Sequence, residues 1–148
     1  MTLLFIDLNV WLALSDPGHI HHDAAWRWVH RLPADRMFLF SRYTQIGLLR
    51  LLTNPAVMGD ETLTLREAWE VYDRWLEDPR VTFFPEPRGI EAAFRQATGP
   101  LAGQPSSKAV GDCWLLAFAL QARATLVTFD RALFAFSRKH GHSAVIPG

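Results

Sequence analysis

Short apolar runs alternate with amphipathic segments along the whole chain. The apolar runs are too brief for helices and predict buried strands; they lie at residues 3–6, 37–40, 81–84, 125–129 and 144–146. Between them, apolar residues recur at helical spacing over residues 10–14, 22–32, 42–52, 65–76, 90–97, 108–123 and 131–136. This alternation predicts an α/β fold in which a mostly parallel sheet carries helices on both faces.

The ends of the predicted helices carry local signals. Asn9 is a plausible N-cap for the first helix and Ser41 for the third. The pair Asn54-Pro55 is expected to end that third helix. Residues 98–107 are the most loop-like of the chain, and the serines in this segment can cap the helix that follows.

Two aspartates occupy equivalent places at the ends of predicted strands. Asp7 directly follows the first strand, and Asp130 directly follows the fourth. Neighbouring strands lie about 4.8 Å apart, so we expect these carboxylates within several ångströms of each other if the two strands pair. Asp112, in the first turn of the preceding helix, is placed to reach the same edge of the sheet.

A cluster of these acids would need a counter-charge. Two bare carboxylates about 4 Å apart repel by several kcal/mol at an effective dielectric constant near 20, so they require a cation or a shared proton. Oxygen ligands without thiols or ordered histidines suit Mg²⁺ or Mn²⁺, which support phosphoryl chemistry by activating water and neutralising phosphate oxygens. Taken singly, Asp130 is also explained as an N-cap and Asp112 as an acid favoured by the helix dipole. Asp7 is harder to explain in this way, because an acid at the end of a buried strand is rarely left unpaired.

Composition limits the classes of function without choosing among them. The chain has 148 residues and is 49% hydrophobic, which predicts one folded domain over residues 1–148. The 15 basic and 15 acidic residues cancel, so a nucleic acid would have to be recognised by a local patch. The single cysteine excludes an internal disulfide framework and fits a reducing compartment. With neither a signal-like N-terminus nor a long apolar run, we expect a cytoplasmic protein with no membrane partner.

Three histidines and two arginines are ambiguous in the sequence. His19, His21 and His22 lack the spacing of a zinc site and are expected to lead into the second helix. Arg42 and Arg50 flank the end of the second strand. Each arginine is open to two interpretations, a solvated helix face or a contact to phosphate.

Four segments together resemble one known family. They are FIDLNVWLAL at 5–14, SRYTQIGLLRLLTNP at 41–55, GDCWLLAFAL at 111–120 and LVTFDRALF at 126–134. In this order and spacing they resemble the PIN-domain ribonucleases, and more closely the VapC toxins of bacterial toxin–antitoxin pairs. The resemblance runs from about residue 3 to the last strand.

The resemblance implies a three-layer α/β/α PIN-like fold with a mostly parallel central sheet of four to five strands. It implies a Mg²⁺- or Mn²⁺-dependent endoribonuclease, the toxin of a type II toxin–antitoxin module, that hydrolyses RNA phosphodiesters. The implied partners are a cognate VapB-type antitoxin and a second copy of the chain in a homodimer. Three acids would be both the catalytic residues and the metal ligands: Asp7, Asp112 and Asp130. Three polar residues would support them: Asn9, Gln45 and Thr128.

One position departs from the family pattern. The family's second acid usually lies one turn into the helix after the second strand, where this chain has Gln45. An amide oxygen can bind a metal or position water, but it adds no charge to offset the cation. An alternative therefore stays open, a catalytically weak or inactive PIN-like module that binds RNA or protein. Aspartyl-phosphate phosphatases fit less well, because Asn9 interrupts their DxD pattern, and the final segment lacks the late lysine of a receiver domain.

Overall fold

The computed structural model describes every residue from Met1 to Gly148. Five strands form one parallel sheet in the order β3-β2-β1-β4-β5. Their bounds are β1 Thr2–Ile6, β2 Arg36–Phe40, β3 Val81–Phe83, β4 Thr125–Val127 and β5 Ala144–Val145. The predicted parallel sheet of four to five strands is therefore confirmed.

Eight α-helices lie between and around the strands. They are α1 Leu8–Ser15, α2 His22–Arg31, α3 Arg42–Leu52, α4 Pro55–Met58, α5 Leu65–Glu77, α6 Ile90–Thr98, α7 Ala109–Ala122 and α8 Arg131–Lys139. Helices α1, α2, α3 and α5 pack on one face of the sheet, and α6, α7 and α8 pack on the other. This is the three-layer α/β/α arrangement. No helix combines the length and the apolar character needed to cross a lipid bilayer.

Alternate strand residues point into two separate apolar layers. In β1, Ile6 belongs to the larger layer and Phe5 to the smaller one. Trp11 stacks on Phe40 in the larger layer, with ring centres 3.8 Å apart, and Phe5 lies 4.2 Å from the ring centre of Phe118 in the smaller layer. Because both faces of the sheet are covered, the strand sequences are nearly continuous apolar runs.

Asn9 is not the N-cap of α1, and the sequence prediction was wrong here. The helix begins at Leu8 and is capped by Asp7, whose Oδ1 accepts a hydrogen bond from the Leu8 N–H at 2.6 Å. Asp7 thus ends the strand and caps the helix at once, with no connecting loop. This places Asn9 in the first turn of α1, where its side chain is free to bond elsewhere.

Two other connections differ from the prediction. Residues 98–107 are not wholly loop, because Gly99–Leu101 forms a 3₁₀ helix. The serines of this segment do not cap α7, since the residue before that helix is Lys108, which makes no side-chain cap. The pair Asn54-Pro55 does follow the end of α3, but it also starts α4, with the Asn54 side chain as cap and the proline at the first position.

Candidate active site

The carboxyl ends of β1 and β4 bring Asp7 and Thr128 to the same edge of the sheet. The two strands are parallel neighbours in which Ile6 pairs with Val127, so the residues that follow lie at the same level. Strand β4 ends two residues earlier than predicted, which places Thr128 beyond the strand. Asp7 is only 7% exposed and Thr128 is fully buried. The site is therefore built around a buried carboxylate.

The Thr128 hydroxyl organises the polar groups around it. It donates to Asp7 Oδ2 at 2.7 Å, and it accepts from Asn9 Nδ2 at 3.4 Å and from the Asp130 N–H at 3.0 Å. A hydroxyl has one hydrogen and two acceptor lone pairs, so these three bonds use its full capacity. The direction of each bond is thereby fixed, and the Asp7 carboxylate is held as an acceptor.

Asn9 and Asp130 are both bonded to the backbone near this hydroxyl. Asn9 Oδ1 accepts from the Phe129 N–H at 3.1 Å, which ties α1 to the loop after β4. Asp130 Oδ1 accepts from the N–H groups of Ala132 at 2.9 Å and Leu133 at 3.1 Å, and so caps α8. The N-cap interpretation of Asp130 is therefore correct. It uses only one carboxylate oxygen, and Oδ2 is left for another ligand.

Asp112 lies in the first turn of α7, where the sequence placed it, and it is half-buried. Burial raises its pKa, and the negative charges of Asp130 and Asp7 raise it further. Burial also raises the pKa of Asp7, against the lowering effect of the hydrogen bonds from Thr128 and Leu8. The charge of Asp130 is therefore close enough to disfavour the charge of both Asp7 and Asp112.

These acids do not form a closed metal cage. No group of three or more His, Cys, Asp or Glu side chains is arranged to hold a metal ion. Mg²⁺, however, usually keeps several waters and binds through one or two carboxylates together with substrate phosphates. Asp7 and Asp112 fit that requirement, because both are oxygen ligands with raised pKa values and neither forms a salt bridge.

Gln45 lies on the β2 side of the edge and has a cation as its partner. The residue is 6% exposed, and its Oε1 accepts a hydrogen bond from Arg42 Nη1 at 2.7 Å. The Arg42 guanidinium lies over the Phe83 ring, 4.5 Å from its centre, and forms no salt bridge. Sequence reasoning treated the two residues separately, although their i, i+3 spacing on a helix was a signal that joins them. Participation of Gln45 in metal binding stays a prediction.

The histidine loop between α1 and α2 reaches the same region of the molecule. Helix α2 begins at His22, as expected, and the His21 ring stacks on the Phe129 ring with centres 4.6 Å apart. Phe129 directly precedes Asp130 in the sequence. Sequence reasoning missed this contact because only the strand order, and no local signal, brings the two loops together.

Comparison with known families and relatives gives a consistent result. The family model described as PIN domain matches residues 4–139. Ribonuclease VapC41 from Mycobacterium tuberculosis is 42% identical over 134 residues, covering 88% of this chain and 90% of that relative. The chain is thus similar to a VapC ribonuclease along nearly its whole length.

Solved structures show the same fold at low sequence identity. VapBC2 from Rickettsia felis, bound to a DNA fragment from its promoter, aligns with a TM-score of 0.72 at 13% identity, over 99% of this chain and 100% of that chain. VapC20 from Mycobacterium tuberculosis, a sarcin-ricin loop cleaving toxin, aligns with a TM-score of 0.62 at 19% identity, over 89% and 93% of the two chains. On the family model and the relative at 42% identity, the chain belongs to the PIN domain family and, within it, to the VapC ribonucleases.

Proposed function

We propose that this protein is a Mg²⁺- or Mn²⁺-dependent endoribonuclease, the toxin of a type II toxin–antitoxin module. Its similarity to a relative named as a ribonuclease supports RNA as the substrate. The observation that carries the proposal is a buried Asp7 with Asp112 and Asp130 near it at one sheet edge; the pKa values of Asp7 and Asp112 are raised, and none of the three acids forms a salt bridge. Such a cluster is unfavourable in the free protein and becomes favourable when a divalent cation binds.

Asp7 and Asp112 are the residues that would hold the ion, and Asp130 adds its charge to the same edge. When bound, a divalent cation lowers the pKa of water and neutralises phosphate oxygens, which are the two effects that phosphodiester hydrolysis needs. Thr128 fixes the orientation of Asp7, since its hydroxyl has no capacity left for another arrangement. Asn9 fixes the loop that carries Thr128. The protein thereby supplies pre-organised charge and a fixed direction of approach to phosphorus.

Gln45 has a different part in this proposal. Its side-chain oxygen holds the Arg42 guanidinium at the β2 end of the edge. A guanidinium suits forked contacts to phosphate oxygens, so Gln45 supports the site by placing a cation for the RNA backbone.

The proposal extends to partners and assembly. Two structural neighbours are named as VapBC proteins, so a cognate VapB-type antitoxin is the proposed inhibitor. We further propose a homodimer in the cytoplasm, with residues 1–148 forming a single PIN domain. Light scattering of the purified protein tests the dimer. Co-purification with the product of the neighbouring reading frame tests the antitoxin.

Cleavage of labelled RNA under controlled metal conditions tests the proposed activity. We expect no cleavage in excess chelator, and recovery when Mg²⁺ or Mn²⁺, but not Zn²⁺, is returned. Asp7→Asn is the matched control, because it keeps the size of the side chain, removes its charge and exposes any contaminating nuclease. Full activity in chelator would contradict metal dependence. RNA binding without cleavage in either metal would instead favour the binding-module alternative.

A further inference from the structure

We propose that His21 and Phe129 together form a stacking platform for one unpaired base of the RNA. The inference rests on the proposed function and adds the kind of RNA segment that the acidic edge accepts. The two rings are nearly parallel, with an interplanar angle of 22° and centres 4.6 Å apart. This is the geometry of offset aromatic stacking. The pair is called the His21–Phe129 stack below.

The stack is joined directly to the acidic edge. Phe129 lies between Thr128, which donates to Asp7, and Asp130, which caps α8. Its own backbone N–H donates to Asn9 Oδ1. The main chain under the ring is therefore fixed by the same hydrogen bonds that orient the acids. A base on this platform would belong to a nucleotide beside the phosphate held at the acids.

The loop that presents His21 is also held in place. The His21 N–H donates to His19 Nδ1 at 3.0 Å, and His22 Nδ1 donates to the Ala13 carbonyl oxygen at 2.7 Å. These bonds fix the backbone on both sides of the His21 ring. A ring that is already ordered loses little conformational entropy when a base binds, which favours binding.

The outer surface of this loop is open to solvent. His21 is exposed and its side chain makes no capping hydrogen bond, and the neighbouring Ile20 is 88% exposed. Every nucleobase has a π-face, so an exposed stacked ring accepts a base without reading its sequence. In a duplex the base faces are already covered by their neighbours. The platform therefore selects an unpaired segment.

The chain contains a second histidine–phenylalanine pair, tilted rather than stacked, at a different place in the fold. His140 lies beside Phe136 with ring centres 4.4 Å apart, and its Nδ1 donates to the Phe136 carbonyl oxygen. This second pair lies at the C-terminal end of α8, whereas Asp130 caps the N-terminal end of that helix. Substitution of His140 therefore serves as a control, because it removes a histidine that lies beside a phenylalanine but away from the acidic edge.

Fluorescence of 2-aminopurine in a short single-stranded RNA of mixed sequence tests the platform. The probe is moved along the strand, and each RNA is measured in chelator and in Mg²⁺, alone and annealed to its complement. We expect quenching at one or a few positions in the single strand and none in the duplex. His21→Ala should remove the quenching and weaken binding at least about five-fold, whereas His21→Phe should retain both. His140→Ala should behave as the wild type.

Steady-state cleavage provides the second measurement and separates this inference from the proposed function. His21→Ala should raise KM for single-stranded RNA by at least about five-fold, with a smaller change in kcat, and His21→Phe should restore KM. Wild-type KM and quenching in a folded His21→Ala protein would overturn the platform while leaving the nuclease proposal intact. Conversely, position-dependent quenching by a protein that cleaves no RNA would support the platform and contradict the nuclease. If the wild type quenches no probe and His21→Ala leaves KM unchanged, the platform is overturned.

Discussion

The two halves of the sheet's carboxyl edge carry opposite charges, and neither half is neutralised. On the side of β1 and β4, the Asp7 carboxylate accepts a hydrogen bond from the Thr128 hydroxyl, and the backbone N–H of Asp130 donates to the same hydroxyl. On the side of β2, Arg42 lies against Phe83 with only a neutral amide as its hydrogen-bond partner. The difference indicates two kinds of ligand, a cation for the first half and an anion for the second.

Salt bridges elsewhere in the molecule make this contrast clearer. The protein forms three, and in each of them the partners lie within four residues of each other in the sequence: Asp35–Arg36, Asp78–Arg80 and Glu91–Arg95. The arginine–carboxylate pairs that do form are therefore all local. No salt bridge joins Arg42 to an acid at the sheet edge, so both kinds of charge are left without a neutralising partner.

Neutralising the acidic half should have the largest effect on activity. Asp7→Asn, Asp112→Asn and Asp130→Asn should each lower the rate of RNA cleavage by at least about 100-fold, or about 2.7 kcal/mol, because each removes charge facing the metal. Asparagine is also a good N-cap, so Asp130→Asn should keep α8. Stability without metal should be unchanged or higher, as repulsion is relieved.

The exposed Asp60 provides the control for these three variants. Asp60→Asn should cleave RNA at the wild-type rate. Cleavage rates and thermal unfolding of the four variants, measured side by side in chelator and in Mn²⁺, check the prediction. Wild-type cleavage by a folded Asp7→Asn protein would contradict the proposed site.

Removing the Thr128 hydroxyl should have the next largest effect on the rate of RNA cleavage. Thr128→Val keeps the shape of the side chain but leaves Asp7 Oδ2, Asn9 Nδ2 and the Asp130 N–H without this partner. We expect a loss of about 1–3 kcal/mol in the free energy of unfolding and a loss of about 10- to 100-fold in cleavage rate. Thr128→Ser retains the hydroxyl and should recover most of the activity. Equal rates for the two variants would show that the hydroxyl does not orient Asp7.

Acidification should stabilise the metal-free protein through the acidic half. The pKa of Asp7 and of Asp112 is raised in the folded state, so the folded state binds these protons more tightly than the unfolded chain does. Their favourable contribution is complete below the unfolded value of 3.8 and is lost as the pH rises through the folded pKa. His19 and His142, whose pKa values are lowered, act in the opposite direction as the pH falls past 6.5.

Comparison with Asp7→Asn separates the pH dependence of stability that comes from Asp7 from the contribution of the histidines. We expect the wild type to gain stability relative to Asp7→Asn in chelator as the pH falls from about 7 towards the unfolded pKa of 3.8, and the gain to vanish in saturating Mn²⁺. Urea unfolding of both proteins across this range measures it. If the difference in free energy of unfolding between the two proteins stays constant at all pH values, the pKa of Asp7 is not raised in the folded state.

Adding a negative charge on the β2 side of the sheet edge should have the smallest effect, measured as the affinity for Mn²⁺. Gln45→Glu places a carboxylate beside Arg42, and the new pair should neutralise itself and leave the dissociation constant for Mn²⁺ within about two-fold of the wild type. In Arg42→Gln/Gln45→Glu the new charge has no such partner, and Coulomb attraction should tighten Mn²⁺ binding. Calorimetric titration compares the two. Equal tightening in the single and double variants would mean that Arg42 does not offset the charge.

The sequence predicted the part of the fold and site that depends on local pattern. Apolar runs that precede Asp7 and Asp130 identify strands that end at one edge, because burial on both faces leaves few polar residues inside them. The placement of Asp112 in the first turn of α7 followed from helical spacing alone. Ser41 was also correctly predicted as the N-cap of α3, since its cap bond closes within one turn.

Contacts between distant segments were not predictable in the same way. Asn9 has a residue type typical of an N-cap, but the N-cap of α1 is Asp7. The Asn9 side-chain oxygen instead accepts a hydrogen bond from the Phe129 N–H in the loop after β4. Residues that follow neighbouring strands are brought together by strand order, which the linear pattern does not encode. The stacking of His21 on Phe129 has the same origin.

Anomalous diffraction from crystals of the wild-type protein grown with Mn²⁺ tests the central claim most directly. The account predicts a Mn²⁺ peak at the carboxyl edge of β1 and β4, within about 2.0–2.6 Å of oxygens from Asp7 and Asp112. The peak should be absent from crystals of Asp7→Asn prepared in the same way. A Mn²⁺ ion bound elsewhere, or RNA cleavage by a protein that holds none at this edge, would contradict it.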